Sequence, residues 1–350
     1  MKVKDGANMR KRSFVIIAFL LLLTTIISLS LYSIKFSSAN SCVDDTPLLN
    51  KTDFDSLNYM DTFDVSDFSG STVNTIDIPS KEYISNVITV RDSDFQISDE
   101  LLNQVYGIIN SYGASNSFYI VSLEDGMSVG YNVDRAYETA SSIKAPFALY
   151  VSQEVAKGNI DPEQKIVYKE RFYNPGTGII KRSSFGTEYS VRQLLYYTIH
   201  ESDNIAHEML HKTFGVGGYN QMLRNLGTKQ LYLTSGNPWG FMSPRSSAII
   251  WQEIYNYAIL ESEGVNFLNI LSNAKYNYFK EVFPNIESAS KTGFAKKDVV
   301  ETGIVFGERP YIAICVANKG GNIGAYTQVV KLIKAMNDIM TEYNTYMDNK

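Results

Sequence analysis

The sequence predicts an α+β fold, a mixed α/β domain in which an antiparallel sheet packs beside a helical cluster, and three observations predict it. A helical stripe near residues 97–113 leads into two short apolar runs joined through Glu124-Asp125-Gly126. Amphipathic segments at helical spacing fill the middle of the chain. Short apolar runs then return between 290 and 318, before one last helical stripe. With sheet segments at both ends and helices between, distant parts of the chain must pair to close one core.

The elements follow in order. Leu101, Leu102, Val105, Ile108 and Ile109 recur at helical spacing. Ser117 to Ser122 and Met127 to Tyr131 read as a hairpin, because Asp-Gly between apolar runs is a strong turn signal. Ser190 reads as the N-cap of a helix from Val191 to His200. Further helices run from Asn204 to Phe214, stopped by Gly215, and from Tyr219 to Leu226, stopped by Gly227. Pro244 suits the first turn of a longer one reaching Ile259. Ser290 to Phe294, Glu301 to Phe306 and Tyr311 to Asn318 are the returning strands, and Val329, Leu332, Ile333, Met336, Ile339 and Met340 share one face of the closing helix. There is no internal repeat.

The N-terminal part reads differently. A basic tail at 1–12 precedes an apolar segment at 13–34, so the expectation is a signal-anchor with its basic end in the cytoplasm, or a signal peptide cleaved near Ala39. Residues 35–94, rich in Asp, Ser, Thr and Asn, read as an acidic linker outside the cytoplasm, leaving 95–350 as the folded domain. A 44% hydrophobic content can build a sizeable core, and a net charge of −5 without a basic block in the body argues against nucleic acid as a partner. Two cysteines, Cys42 and the strand residue Cys315, make no disulfide framework.

The chemistry gathers at Ala140-Ser141-Ser142-Ile143-Lys144. A Ser and a Lys three apart share one helical face, and a Lys whose ammonium is disfavoured can activate a serine hydroxyl. The same spacing occurs at Ser272 and Lys275 and at Ser288 and Lys291, so the pair alone is weak. What singles out Ser141 is the ordered sequel: Ser202-Asp203-Asn204, then Lys291-Thr292-Gly293.

With these motifs and similar flanks, residues from about 97 to 345 resemble the class A β-lactamase-like branch of the penicillin-recognising serine enzymes. The resemblance implies a five-stranded antiparallel sheet flanked by helices, with an all-helical lobe. It implies that Ser141 attacks a carbonyl, Lys144 takes its proton, and Ser202 relays a proton to the leaving nitrogen. Asn204 would hold the substrate's amide and help position Lys144. Lys291 and Thr292 would receive the substrate carboxylate, Gly293 would let substrate lie against its strand, and the N–H groups of Ser141 and Phe294 would form the oxyanion hole. The partner would be a β-lactam or a cell-wall peptide ending in D-Ala, met by a monomer that needs no cofactor or metal.

One departure matters. Class A β-lactamases activate the deacylating water with a loop Glu, yet Thr228 to Ser243 holds neither Glu nor Asp. Losing a placed general base costs about a hundredfold, roughly 3 kcal/mol in the barrier. The expectation is therefore an enzyme that acylates on Ser141 and empties slowly, the alternatives being a true β-lactamase with another deacylating base and a non-catalytic cell-wall-binding module. His207-Glu208-Met209-Leu210-His211 also matches the His-Glu-x-x-His pattern of zinc peptidases, a reading that lacks a third ligand in any motif.

Overall fold

The structure is a computed structural model, and it describes residues 78, 82–111, 116–228, 233–296, 298–318 and 323–350. The basic tail, the apolar segment, Cys42 and most of the acidic linker lie outside the described residues. Among the described residues no helix is long and apolar enough to cross a membrane.

Among the described residues the strands run β1 (Thr89–Arg91), β2 (Ser117–Ser122), β3 (Ser128–Tyr131), β4 (Tyr137–Glu138), β5 (Lys165–Val167), β6 (Glu188–Ser190), β7 (Phe241–Met242), β8 (Glu287–Phe294), β9 (Asp298–Phe306) and β10 (Tyr311–Asn318), and six of them, β1, β2, β3, β8, β9 and β10, form a central sheet that is antiparallel throughout. Their spatial order is β1-β3-β2-β10-β9-β8, so the hairpin from the start of the domain joins the late strands through β2 and β10. Every residue of β2, β3 and β9 is buried, because both faces of the sheet are covered. On one face Phe118, Ile120, Val305 and Ala313 pack with α1 (Asp99–Ser111) and the closing helix Ile323–Asp348. On the other, Tyr119, Ile304, Ile312 and Ile314 join the core of the helical lobe.

The expected five strands become six, and the difference is β1, which pairs Thr89 with Gly130 at the sheet edge. Ile78, also inside the expected linker, is buried in the core, and its carbonyl accepts from Arg245 Nη1 at 3.2 Å. Three residues cannot display a strand period, so neither feature stands out of an acidic, serine-rich stretch.

Local rules set the elements that position the site. The turn at Asp125-Gly126 is closed by the Asp125 side chain, whose Oδ1 accepts from the Met127 N–H at 3.1 Å. A 3₁₀ turn, Ala140–Ile143, opens into α2 (Lys144–Ala156), where a continuous α-helical turn was expected. Residues three apart eclipse in a 3₁₀ turn, so Ser141 and Lys144 still face one way. Ser190 caps α3 (Val191–Ile199) in a full capping box with Gln193, worth about 1 kcal/mol. The next helix, α4 (Asn204–Phe214), is capped by Asp203, and Ser243 with Pro244 starts the longer helix Pro244–Leu260. A two-stranded ribbon, Tyr137 with Met242 and Glu138 with Phe241, ties the entry of the 3₁₀ turn to the exit of the loop between Thr228 and Ser243.

Candidate active site

The 3₁₀ turn carries Ser141 and aims it at Lys144, whose Nζ lies 3.0 Å from Ser141 Oγ. The same Nζ donates to Asn204 Oδ1 at 2.8 Å, meets the Ser202 carbonyl, and lies 3.3 Å from Ser202 Oγ. Lys144 is fully buried, and burial pushes its ammonium well below the usual range. The Lys291 cation pushes the same way, and Asp203 opposes both. An amine so placed gives up its proton readily and can take one from Ser141.

Ser202 sits between two amines, with Lys291 Nζ 3.0 Å from its Oγ. Its backbone is left-handed at φ 52°, a conformation that costs a non-glycine residue about 1 kcal/mol or more. Thr177 and Asp203 help to hold it there: Thr177 Oγ1 donates to the Ser202 carbonyl at 2.7 Å, and the Asp203 N–H donates to the Tyr197 carbonyl at 2.9 Å. Lys291 is buried, and burial lowers its pKa to about 8 against the opposing pull of Glu301.

Asp203 was read only as part of a motif, yet it organises this corner. Its Oδ1 accepts from the N–H groups of Ile205 and Ala206 at 2.8 and 2.9 Å, while Oδ2 accepts from those of Ile179 and Ile180 at 2.6 and 2.8 Å. One carboxylate thus caps a helix and clamps a loop. Gly178 permits the approach, since a Cβ there would lie 2.2 Å from the Asp203 carboxyl carbon. The Ser-Asp-Asn spacing signals the cap, whereas the clamp needs a loop some 24 residues upstream that spacing does not reveal.

The other expected residues divide. Asn204 belongs to the cluster through Lys144, and its Nδ2 donates to the Pro175 carbonyl at 3.0 Å. Gly293 shows a structural requirement of its own. A Cβ there would sit 2.3 Å from the Thr139 carbonyl oxygen, so the glycine lets the strand touch the Ser141 turn. That contact sets Phe294, at the exposed end of edge strand β8, beside the nucleophile's turn. Thr292 is not presented alongside Lys291. Its hydroxyl lies 3.0 Å from the Tyr276 carbonyl and 2.5 Å from Glu301 Oε2, because adjacent strand residues leave on opposite faces.

His207 and His211 are core residues here, both packed on Phe147 at centroid distances of 5.4 and 5.6 Å. His207 Nε2 is hydrogen-bonded to the Pro238 carbonyl at 3.0 Å, and burial lowers its pKa to about 3. Neither ring shares a pocket with a third ligand: among the described residues no three His, Cys, Asp or Glu side chains stand close enough to hold a metal ion. The remaining histidine, His200, stacks on Tyr196.

The loop between Thr228 and Ser243, described from Leu233 onward, reaches this cluster through Trp239. It contributes an indole: the Trp239 ring centroid lies 5.5 Å from Lys144 Nζ. Its sequence gave no signal for that role.

Comparison with known proteins agrees with the geometry. The family described as the beta-lactamase enzyme family matches residues 100–343. The beta-lactamase regulatory protein BlaB of Streptomyces cacaoi is 29% identical over 135 residues, covering 38% of this chain and 43% of that protein. Beta-lactamase VEB-1 of Pseudomonas aeruginosa is 31% identical over 120 residues, covering 34% and 40%. The chain therefore spans about two fifths of the length of these curated relatives. Among solved structures, a beta-lactamase from Sphaerobacter thermophilus superposes with a TM-score of 0.60 at 21% identity, covering 67% of this chain and 95% of that one. PBP-A superposes at 0.61 with 19% identity, covering 69% and 96%, and a variant of PBP-A has been solved as its acyl-enzyme with penicillin G. By the extent of the family match, the chain belongs to the beta-lactamase enzyme family.

Proposed function

We propose that this protein is an active-site serine hydrolase acting outside the cytoplasm, which transfers an acyl group from a β-lactam or a D-Ala-ended cell-wall peptide to Ser141 and releases it slowly. The observation that carries this reading is the buried Lys144 amine, 3.0 Å from Ser141 Oγ and pushed toward its neutral form. Neutral Lys144 takes the Ser141 proton as Oγ attacks the carbonyl carbon. The developing oxyanion lies toward the N–H groups of Ser141 and Phe294. Ser202 Oγ, bracketed by Lys144 and Lys291, hands a proton to the leaving nitrogen and is reprotonated from the amines. The carbon–nitrogen bond breaks and an ester on Ser141 remains.

Release needs a water and a base. The loop between Thr228 and Ser243 carries no acid, and it brings Trp239 against Lys144. The basic tail and apolar segment at 1–34 support a site outside the cytoplasm, on a monomer tethered to the membrane. A second reading, efficient β-lactam hydrolysis, is favoured by Lys144 itself, since an amine freed of its proton after acylation could also activate water.

Benzylpenicillin mixed with the full chain and followed by intact mass tests this. The expected result is a persistent adduct of the antibiotic's mass, absent in Ser141→Ala. Steady Ser141-dependent loss of drug without an adduct would support the second reading. Neither adduct nor drug loss would contradict acylation and favour a binding module, with the chelator sensitivity of any activity deciding the zinc reading.

A further inference from the structure

The first histidine of the His-Glu-x-x-His pattern has no part in the acylation step, and its surroundings point to another use. His207 stands one helical turn after Asn204 on α4, and Phe147 stands one turn after Lys144 on α2. The two rings meet edge to face, so His207 packs between the helices that carry Lys144 and Asn204. A further neighbour is the Trp239 ring, 5.3 Å away. That ring's centroid lies in turn 5.5 Å from Lys144 Nζ.

The His207 imidazole has one hydrogen bond to give. Its Nε2 lies 3.0 Å from the Pro238 carbonyl. A carbonyl only accepts, so Nε2 carries the hydrogen and Nδ1 is bare. Burial, reinforced by the Lys144 cation, lowers the ring's pKa to about 3, so this neutral tautomer persists at neutral pH. Nδ1 is buried without a partner, a cost that an apolar residue in the same packing would not carry. What the histidine gains over such a residue is the bond to Pro238. Pro238 and Gly240 flank Trp239, and the Gly240 carbonyl already accepts from the N–H and the hydroxyl of Thr139. With His207 holding Pro238, the backbone is pinned on both sides of the indole. Trp239 is half-buried whereas Lys144 is fully buried, which puts the indole at the boundary between the amine and solvent.

We propose that His207 is a positioning residue for the slow release of the acyl group: its bond to Pro238 holds the Trp239 indole against Lys144, and the indole keeps water from the amine that would activate it against the Ser141 ester. The inference rests on the acylation reading above and extends it to the release step. Hydrolysis needs a water whose proton passes to a base as its oxygen bonds to the acyl carbon. The carbon–oxygen bond to Ser141 then breaks, and the proton returns to Ser141 Oγ. With no acid in the loop, Lys144, 3.0 Å from Ser141 Oγ, is the base at hand, and it serves only where water reaches it.

The lifetime of the benzylpenicillin adduct on the full chain, followed by intact mass, tests this as a double-mutant cycle. Trp239→Ala opens the amine to water without supplying a new base, and the adduct should last about a third as long, a smaller change than a carboxylate there would bring. His207→Phe should shorten the lifetime to a similar extent, and adding it to Trp239→Ala should change nothing further. His207→Gln, whose amide also donates, should restore most of the lifetime. Acrylamide quenching reports on the indole directly, because the chain's other tryptophan, Trp251, is buried: quenching should rise in His207→Phe and stay at the wild-type level in His207→Gln. An unchanged lifetime in Trp239→Ala would overturn the proposal whether or not the His207 variants fold. So would a His207→Phe effect that is undiminished in the Trp239→Ala chain. A His207→Gln adduct as short-lived as that of His207→Phe would also overturn it, leaving His207 a packing residue alone. No adduct on the wild-type chain would overturn the serine-acylation reading itself, and this inference with it.

Discussion

Two regions meet at Ser141 and are built to different standards. On one side, Ser141, Lys144, Ser202, Asn204 and Lys291 form a connected set of side chains in which each link is 3.3 Å or shorter, braced by Asp203 and Thr177. On the other, the loop leading to Ser243 contributes backbone carbonyls and the Trp239 ring. The loop is nonetheless anchored: Thr139 donates to the Gly240 carbonyl through both its N–H at 3.0 Å and its hydroxyl at 2.8 Å. The difference therefore lies in chemistry rather than in order. Forming an acyl-enzyme and emptying one are separate demands, and the first can be fully equipped where the second is not.

The largest expected effect lies on the acylation side. Lys144→Ala should slow formation of the penicillin adduct between about a hundredfold and ten-thousandfold, the range of a general base, as measured by intact mass. Little change would remove Lys144 from the mechanism. Next comes the loop. Trp239→Glu places a carboxylate beside the acyl site, and the adduct's lifetime should shorten about tenfold, less than an evolved base delivers. An unchanged lifetime would mean that slow release has a cause other than the missing acid.

A smaller effect is a shift in pH dependence. Because Lys291 helps to hold Lys144 below its usual range, Lys291→Met should let the Lys144 pKa rise. The rising limb of the pH profile for acylation should then move to higher pH. A limb that stays in place would show that burial alone tunes Lys144. The smallest effect concerns stability. Ser202→Gly relieves the left-handed backbone that Ser202→Ala retains, so it should be more stable than the alanine variant by about 1 kcal/mol in thermal denaturation, although both lose the relay hydroxyl.

Much of this was legible in the sequence because it rests on local rules. Ser190 with Gln193, Pro244 and the Asp125-Gly126 turn behave as their residue types require. The three motifs located Ser141, Lys144, Ser202, Asn204 and Lys291, which the fold brings together from segments as far apart as 58 and 89 residues. What escaped was set by long-range partners. The pairing of β1, the clamp from Asp203 to the loop at Ile179, and the contact of Glu301 with Thr292 depend on what stands opposite in space. Gly293 is instructive, because its motif position was evident while its close approach to the Thr139 carbonyl was not.

The central claim is that acylation outruns release. Its most direct test is the rapid-mixing time course of a chromogenic cephalosporin with the full chain in known amount. The account expects a burst of one equivalent per Ser141, followed by a much slower steady phase, with both phases absent in Ser141→Ala. Linear turnover from the start, with no burst, would contradict it and place the slow step at acylation.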